Sequence, residues 1–356
     1  MVKYTNKTKG TETKRLISVL IVLLSGVILV TIPFLDKFYF KSGFLEENVP
    51  IFSTGQILRS LIILISLSAM IFSLINLSLS KPFLIEIIGI QFEKIFLIVT
   101  DFLAMLFLII FLVAPLTFSN LSKEDGLIEW SSMILSLCGS FIFIASLLRS
   151  RKSQNIPLIV RGTFLLFGLL LFLIAMEEIS WFQRILKFQT PNEFSHNSQN
   201  EFNFHNFATN LSENIYYFGT FLFLAVLPFA WRILYGELSS GYSKLFIPKP
   251  YITIIYAIAC AFNYDMWNIF FTQISFFTAI IVLFVFYKFT KKRHEKFIFI
   301  FTIFLVAVTQ VIFLFNGENF SRIWDVTEYK EFFIPLAFLA YAWGVYRNVN
   351  HVYLVK

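Results

Sequence analysis

The chain has 356 residues, of which 57% are hydrophobic and only 14% are charged, and its formal net charge is +7. A soluble domain carries about 25% charged residues, so this chain could not cover a water-facing surface and a soluble fold is excluded. The basic residues lie in short loops rather than on one clustered face, which favours a membrane-orientation signal over nucleic-acid binding.

Long apolar runs recur from one end of the chain to the other. A spanning helix needs about 20 mostly apolar residues, and backbone groups in hydrocarbon must be satisfied within the segment, so these runs predict an all-α bundle of about ten spans. They are Leu16–Phe34, Ile57–Leu79, Ile95–Phe118, Ile128–Leu148, Ile156–Met176, Ile215–Leu234, Tyr251–Phe262, Trp267–Phe289, Phe297–Phe315 and Phe332–Tyr346. We expect one transmembrane domain over residues 1–356.

The loops between the runs alternate in charge. Basic residues lie in the N-terminal segment and in loops 149–152, 244–249 and 288–296, whereas the alternate loops are acidic or mixed. Lys and Arg are retained on the cytoplasmic side, so both termini are predicted to be cytoplasmic. Tyr251–Phe262 is too short to cross about 30 Å of hydrocarbon unaided, and we expect it to form a distorted hairpin with the next run. The last span is expected to begin near Glu328, with its charges at the interface.

The longest polar stretch, 177–214, lies between the fifth and sixth spans and is predicted to be extracytoplasmic. If the fifth helix continues past Met176, Glu177, Trp181 and Arg184 share one face and Glu178 faces a different neighbour. A carboxylate partly inside the membrane is costly unless it is paired and usually marks function, which makes both glutamates candidate general bases or metal ligands. Alternatively, they are interfacial charges beside an aromatic anchor, Trp181.

Two histidines of this stretch could bind a metal. Glu201 and His205 are four residues apart, so on a helix they would share a face, and His196 could supply a third ligand. A divalent metal is therefore one candidate cofactor, with His205 also a candidate proton carrier. The alternative is an interfacial histidine hydrogen-bonded to a glutamate, without metal.

Other polar residues have simpler interpretations. Asn210 and Glu213 have the spacing of a capping box that would open the sixth helix, so both are assigned a structural role. Asp265 follows the short seventh run and would lie in a recess, close to the site, if that helix does not reach the surface; otherwise it belongs to an ordinary polar turn.

The stretch resembles a group of uncharacterised bacterial polytopic membrane proteins. Those proteins carry a Glu-Glu-x-Ser-Trp-Gly-Gln-Arg segment, a Thr-Pro, and then Asn-x-Gln-x-Glu-x-Asn-x-His-Asn. The matching residues here are Glu177, Glu178, Ser180, Trp181, Gln183, Arg184, Thr190, Pro191, Asn197, Gln199, Glu201, Asn203, His205 and Asn206. Phe182 stands where the group has glycine. The resemblance implies that these polar residues act as one unit, and it supplies no reaction.

The sequence leaves three functions open. The first is a membrane-embedded enzyme acting at the outer interface on a lipid or lipid-linked substrate, whose headgroup would contact Trp181, Gln183, Arg184, Asn206 and Asp265. The second is a transporter or flippase with the same cluster as its outer gate, and the third is a non-catalytic subunit with membrane-protein partners. The expected location is a bacterial plasma (inner) membrane, with the lipid bilayer as a partner and no nucleic acid.

Overall fold

The computed structural model describes residues 2–39, 45–78, 91–151, 156–236 and 241–349. This part of the chain is all-helical, as predicted, and contains no strand. The α-helices are α1 Val2–Phe38, α2 Thr54–Ser78, α3 Gln91–Val113, α4 Pro115–Leu121, α5 Leu127–Ser150, α6 Leu158–Glu178, α7 Gln183–Leu186, α8 Thr209–Phe221, α9 Leu227–Tyr235, α10 Gly241–Phe246, α11 Pro250–Ala259, α12 Phe270–Phe289, α13 Arg293–Phe315 and α14 Asp325–Val349. A π-helical turn, Leu222–Val226, joins α8 to α9.

Eight helices of the described chain are long and apolar enough to cross a membrane. They are Glu12–Phe38, Thr54–Ser78, Gln91–Val113, Leu127–Ser150, Leu158–Glu178, Thr209–Tyr235, Phe270–Phe289 and Arg293–Phe315. Large apolar side chains on their outer faces are exposed, among them Leu23, Ile65 and Phe102. A soluble monomer rarely exposes contiguous apolar surface on this scale, so these faces are suited to lipid.

Two helices differ from this pattern because protein rather than lipid surrounds them. α11 begins at Pro250, where the missing N–H is not needed, and all ten of its residues are buried. α14 has 25 residues, about 37 Å of helix, and most of its length is buried against α5, α11 and α3. The helix begins at Asp325, close to the predicted start at Glu328, and of its first-turn and neighbouring charges Asp325 and Lys330 are buried within the protein.

Small and aromatic side chains close the packing around α14. Ser140 of α5 donates a hydrogen bond to the carbonyl of Gly168 on α6 at 2.7 Å, which requires the two backbones to approach closely. Tyr329 of α14 stacks on Phe118 of α4, with ring centroids 4.0 Å apart. The start of α5, the end of α6, the start of α8 and the start of α14 all line one cavity.

Candidate functional site

Helix α6 ends one residue after Glu177, and the chain then turns sharply. Ser180, Trp181 and Phe182 follow in the left-handed region, with φ of 46°, 54° and 63°. Non-glycine residues visit that region rarely and singly, so three in a row redirect the chain. The condition under which Glu177, Trp181 and Arg184 would share one helical face is therefore not met. Glu177 and Trp181 still meet, but across a turn.

Four hydrogen bonds fix the carboxylate of Glu177. One oxygen accepts from the indole Nε1 of Trp181 at 2.8 Å, and the other accepts from the backbone N–H groups of Phe204 and His205 at 2.7 and 3.1 Å. The His205 ring atom Nδ1 lies 3.3 Å from the same oxygen. Glu177 thus ties the end of α6 to the far part of the polar stretch 177–214, named the outer segment after its predicted side of the membrane, and it orients His205.

Gln183 has a similar joining role. Its side-chain amide donates to the hydroxyl of Thr190 at 2.7 Å, and its carbonyl oxygen accepts from the backbone N–H of Phe202 at 2.5 Å. The Thr190 hydroxyl in turn donates to the carbonyl of Asn200 at 2.7 Å. Gln183 is buried and makes both of these bonds within the outer segment, so its position is that of a structural bridge.

Arg184 is the cation that closes the outer segment. Its Nε lies 3.0 Å from Glu201 Oε1, and a second guanidinium nitrogen contacts the same oxygen. Glu124, Asp125 and Glu129 lie within 3.4–3.9 Å of it. Burial opposes the charge, but the hydrogen bond and charge of Glu201, together with the other carboxylates, raise the pKa of Arg184 above its ordinary value. The guanidinium of Arg184 is therefore already paired with carboxylates of the protein.

The predicted metal ligands have separate partners. Glu201 accepts from Arg184 and from the Ser180 hydroxyl, the latter at 2.6 Å, while His205 faces Glu177. The segment is not a regular helix here: Glu201 lies in a bend, and a short 3-10 turn covers His205–Phe207. His196 is exposed. Among the described residues, no group of three or more His, Cys, Asp or Glu side chains is arranged to hold a metal ion.

A cavity of about 320 Å³ lies beneath the outer segment, between the ends of α5, α6, α8 and α14. Acidic side chains dominate its lining. They are Glu124, Glu129, Glu177, Glu178, Glu201, Glu213, Glu328 and Glu331. Arg184 and His205 also line the cavity, and part of its wall is apolar, formed by Leu170, Leu173 and Ile174 of α6.

The cavity carboxylates are unequally satisfied. Glu331 accepts a hydrogen bond from the Tyr217 hydroxyl at 2.5 Å. Glu178 and Glu328, by contrast, receive no side-chain hydrogen bond from any described residue. The charges that act on Glu178 are those of other glutamates, whereas Glu328 is influenced by Glu331 and Glu129 and also by the cation of Arg322. Nearby, the Tyr216 hydroxyl is also without a partner among the described residues. The cavity thus combines space with acids that have no fixed donor, which is the arrangement of a binding or proton-transfer site.

Five of these acids, Glu124, Glu129, Glu213, Glu328 and Glu331, were not among the site residues predicted from the sequence. The prediction of a capping box at Glu213 is wrong, because α8 begins after Ala208 with no side-chain cap, and Glu213 lines the cavity instead. Glu328 and Glu331 have the three-residue spacing that places two side chains on one helix face, which is the only local signal. Glu129 carries no local sequence signal, because it reaches the cavity through the packing of α5 on α6.

Asp265 lies apart from the cavity, behind α14. It is only 1% exposed, so the predicted recess is present. One carboxylate oxygen accepts from the Thr327 hydroxyl at 2.6 Å, and the other has no donor among the described residues. Burial raises the pKa of Asp265 to about 7, and the charge of Glu47 adds to the effect, against the opposing influence of Thr327 and Lys330.

Comparison with known proteins adds no assignment. No family model matches the chain, and no curated protein or solved structure is significantly similar to it. Function is therefore inferred from the chemistry and position of the side chains.

Proposed function

We propose that the protein is a membrane-embedded enzyme whose site is the carboxylate-lined cavity at the outer interface. Its substrate is a lipid or a lipid-linked molecule that enters from the bilayer. The observation that carries this proposal is that one cavity combines unpaired acids with a wall of membrane-facing leucines.

The wall supports entry from the bilayer. Leu170 and Leu173 line the cavity, yet they are also 44% and 46% exposed on the outside of α6. On the facing helix α8, Leu211 and Ile215 are exposed as well. A substrate with an acyl or isoprenoid chain could leave that chain in lipid and place its polar head among the acids, with no need to desolvate the chain.

The polar residues divide into reacting and positioning groups. Glu178 and Glu328 have no fixed donor, so they can exchange a proton with a bound substrate, which is the requirement for general acid or base catalysis. His205 is a second candidate proton carrier because Glu177 orients its ring at 3.3 Å. In this proposal Glu177, Gln183, Arg184 and Glu201 hold the outer segment over the cavity as one unit.

Packing below the cavity supports an enzyme over a transporter. Gly139 on α5 lies so close to Leu171 of α6 that an added Cβ would be 2.9 Å from that side chain. One turn further, Phe143 stacks on Phe167 with ring centroids 5.2 Å apart, and Tyr341 of α14 packs against both rings. A transporter would need a path through this layer on its way to the opposite face.

We also propose about ten spans with both termini in the cytoplasm of a bacterial cell, in the plasma membrane. Two further helices bring the eight long ones to ten spans: α11 is a short crossing paired with α12, and α14 is the last span. The alternation of basic and acidic loops supports this topology. The common cavity at the start of α5, the end of α6, the start of α8 and the start of α14 agrees with the predicted alternation.

Time-resolved lipid mass spectrometry of the reconstituted protein tests the enzyme. The purified chain is incorporated into vesicles of total bacterial lipid, beside a Glu178→Gln, Glu328→Gln variant and a Glu193→Gln control. Glu193 is exposed on the same outer segment, and its substitution makes the same Glu-to-Gln change at one position outside the cavity. We expect one lipid class to fall and a product to rise with the parent and the control, and the double variant to lose this conversion.

The opposite result identifies the rival. If all three proteins leave the lipid composition unchanged while the parent and the control, but not the double variant, accelerate lipid exchange between leaflets, the enzyme proposal fails and the transporter hypothesis takes its place.

A further inference from the structure

The geometry points to an amine-bearing headgroup as the ligand of the cavity: a lipid whose polar end carries a free ammonium group. This inference rests on the proposed function, because it names the substrate class of the same site. Three features support it, namely the charge of the lining, its hydrogen-bonding groups and its depth.

The charge of the lining is strongly negative. Eight glutamates face one arginine and one histidine. Arg184 does not change this balance, since Glu201, Glu124, Asp125 and Glu129 already surround its guanidinium. An anionic group entering the cavity would meet carboxylates in a medium of low dielectric, where like charges repel strongly. A cation would instead relieve the repulsion among them.

Two buried acceptors of the lining, the amide oxygens of Asn203 and Asn206, lack hydrogen-bond partners among the described residues. The Tyr216 hydroxyl, which can donate or accept, is also without one. The remaining such atom, Arg184 Nη1, lies near the carboxylates of Asp125 and Glu129 at 3.4 and 3.9 Å. Asn203 is 1% exposed and Asn206 is 2% exposed, both line the cavity, and neither amide oxygen receives a hydrogen bond from a described residue. Their amide nitrogens are already engaged, with Ser180 and Gln199 respectively. Glu178 and Glu328 add carboxylate oxygens to this set. A buried acceptor without a hydrogen-bond partner is costly, so a ligand that donates hydrogen bonds to these oxygens would stabilise the site.

An ammonium group supplies what these acceptors lack. It carries three N–H donors and one positive charge, whereas a phosphate or carboxylate presents acceptors. It would be held by Glu178 and Glu328, with the oxygens of Asn203 and Asn206 above it on the outer segment. The volume, about 320 Å³, suits a small headgroup rather than an acyl chain, which Leu170 and Leu173 would meet at the wall.

Binding of short-chain lipids tests the inference. Three probes are compared by microscale thermophoresis in detergent: dihexanoyl-phosphatidylethanolamine, its N-acetyl derivative, which lacks the ammonium charge, and dihexanoyl-phosphatidylglycerol. We expect the free amine to bind the parent at least about tenfold more tightly than either other probe. The Glu178→Gln, Glu328→Gln variant should lose that preference and the Glu193→Gln control should keep it.

Equal affinity of the parent for the amine and its N-acetyl derivative would overturn the inference, and this result needs no variant that must fold. The two proposals also fail separately. An amine lipid that binds selectively but is never converted in vesicles refutes the enzyme and leaves the headgroup assignment standing. Conversion of an anionic lipid alone, without selective amine binding, refutes the headgroup assignment and leaves the enzyme standing.

Discussion

Two acidic clusters lie at the same end of the bundle, and they are built in opposite ways. In the first, between α1, α2 and α12, the guanidinium of Arg59 bonds both oxygens of Asp36, at 2.6 and 2.5 Å, and the side-chain oxygen of Gln273 at 3.0 Å. All three side chains are buried. In the second cluster, Glu178 and Glu328 face open space and other acids. The first cluster is matched, since its carboxylate is paired within the protein, whereas the second is unmatched, since Glu178 and Glu328 have no side-chain hydrogen-bond donor among the described residues.

The difference indicates which acids hold the fold and which are available for chemistry. A buried charge is tolerated when a partner compensates for its desolvation. Removing that partner leaves the desolvation free energy of the remaining charge uncompensated. Acids that are left unmatched destabilise the folded protein and persist where they serve another purpose. Substitutions in the two clusters should therefore change stability in opposite directions.

The largest effect is expected at the matched cluster. Asp36→Ala leaves the Arg59 guanidinium buried without its carboxylate, which should cost about 3–5 kcal/mol of stability. Thermal unfolding in detergent measures this loss, with Glu46→Ala as the control because Glu46 is an exposed acid at the same end. An Asp36→Ala protein that unfolds together with this control would show that the pair is not buried and would remove the contrast between the clusters.

Asp265 is an intermediate case, since only one of its oxygens is matched. Its ordinary pKa is 3.8 and burial raises it to about 7, so the folded state holds the proton more tightly than the unfolded state. Its contribution to stability is full below about pH 4 and is lost as the pH rises through 7. Glu47 and Glu213 strengthen this effect and Lys330 weakens it.

Asp265→Asn mimics the protonated acid at every pH. It should match the parent below about pH 4, begin to exceed it as the pH rises from there, and exceed it at pH 8 by on the order of 4 kcal/mol, the equivalent of about three pKa units. The measurement is thermal unfolding across that range. Parallel pH curves for the two proteins would mean that Asp265 is ionised and paired throughout.

In the unmatched cluster the sign reverses. Glu178→Gln with Glu328→Gln removes two mutually repelling acids, and we expect stability to be unchanged or raised by roughly 0.5–2 kcal/mol while ligand binding is lost. The same detergent unfolding assay applies, beside the Glu193→Gln control. A loss as large as that of Asp36→Ala would identify these acids as part of the fold and make the cavity structural.

The helices could be predicted from the sequence more completely than the site. Hydrocarbon requires long apolar helices, so the predicted run Ile128–Leu148 lies within α5, Leu127–Ser150. The run Ile95–Phe118 was predicted as one helix, but α3 ends at Val113 and a new helix begins at Pro115. Proline has no N–H for the helical bond, and the sequence contained that signal.

The site could be predicted only where its contacts join residues that are close in the sequence. The bonds between Glu177 and His205, and between Arg184 and Glu201, join residues of one continuous segment, so the polar pattern of that segment carried the information. Glu129, Glu328 and Glu331 reach the cavity through helix packing across the bundle. A single sequence does not specify which faces of distant helices meet, and these acids consequently resembled ordinary interfacial charges.

The smallest predicted effect concerns the turn that lays the outer segment over the cavity. Phe182 has a φ of 63°, a backbone conformation that glycine adopts without strain. Phe182→Gly and Phe182→Ala both remove the ring, which packs beside Met133 and Ile179, so their difference isolates the backbone. In a right-handed helix, a glycine makes the fold less stable than an alanine by about 0.5–1 kcal/mol. In the left-handed region the order reverses, because the Cβ of alanine costs about 1–2 kcal/mol there.

We therefore expect the Phe182→Gly protein to unfold at a higher temperature than the Phe182→Ala protein, by the equivalent of about 1 kcal/mol. Alanine would be the more stable of the two if α6 continued as a right-handed helix through residue 182. In that case Glu177 and Arg184 would project along one face, the outer segment would not reach back to Glu177, and the cavity would lose its cover. The comparison of two small side chains at one position thus tests the geometry on which the whole site depends.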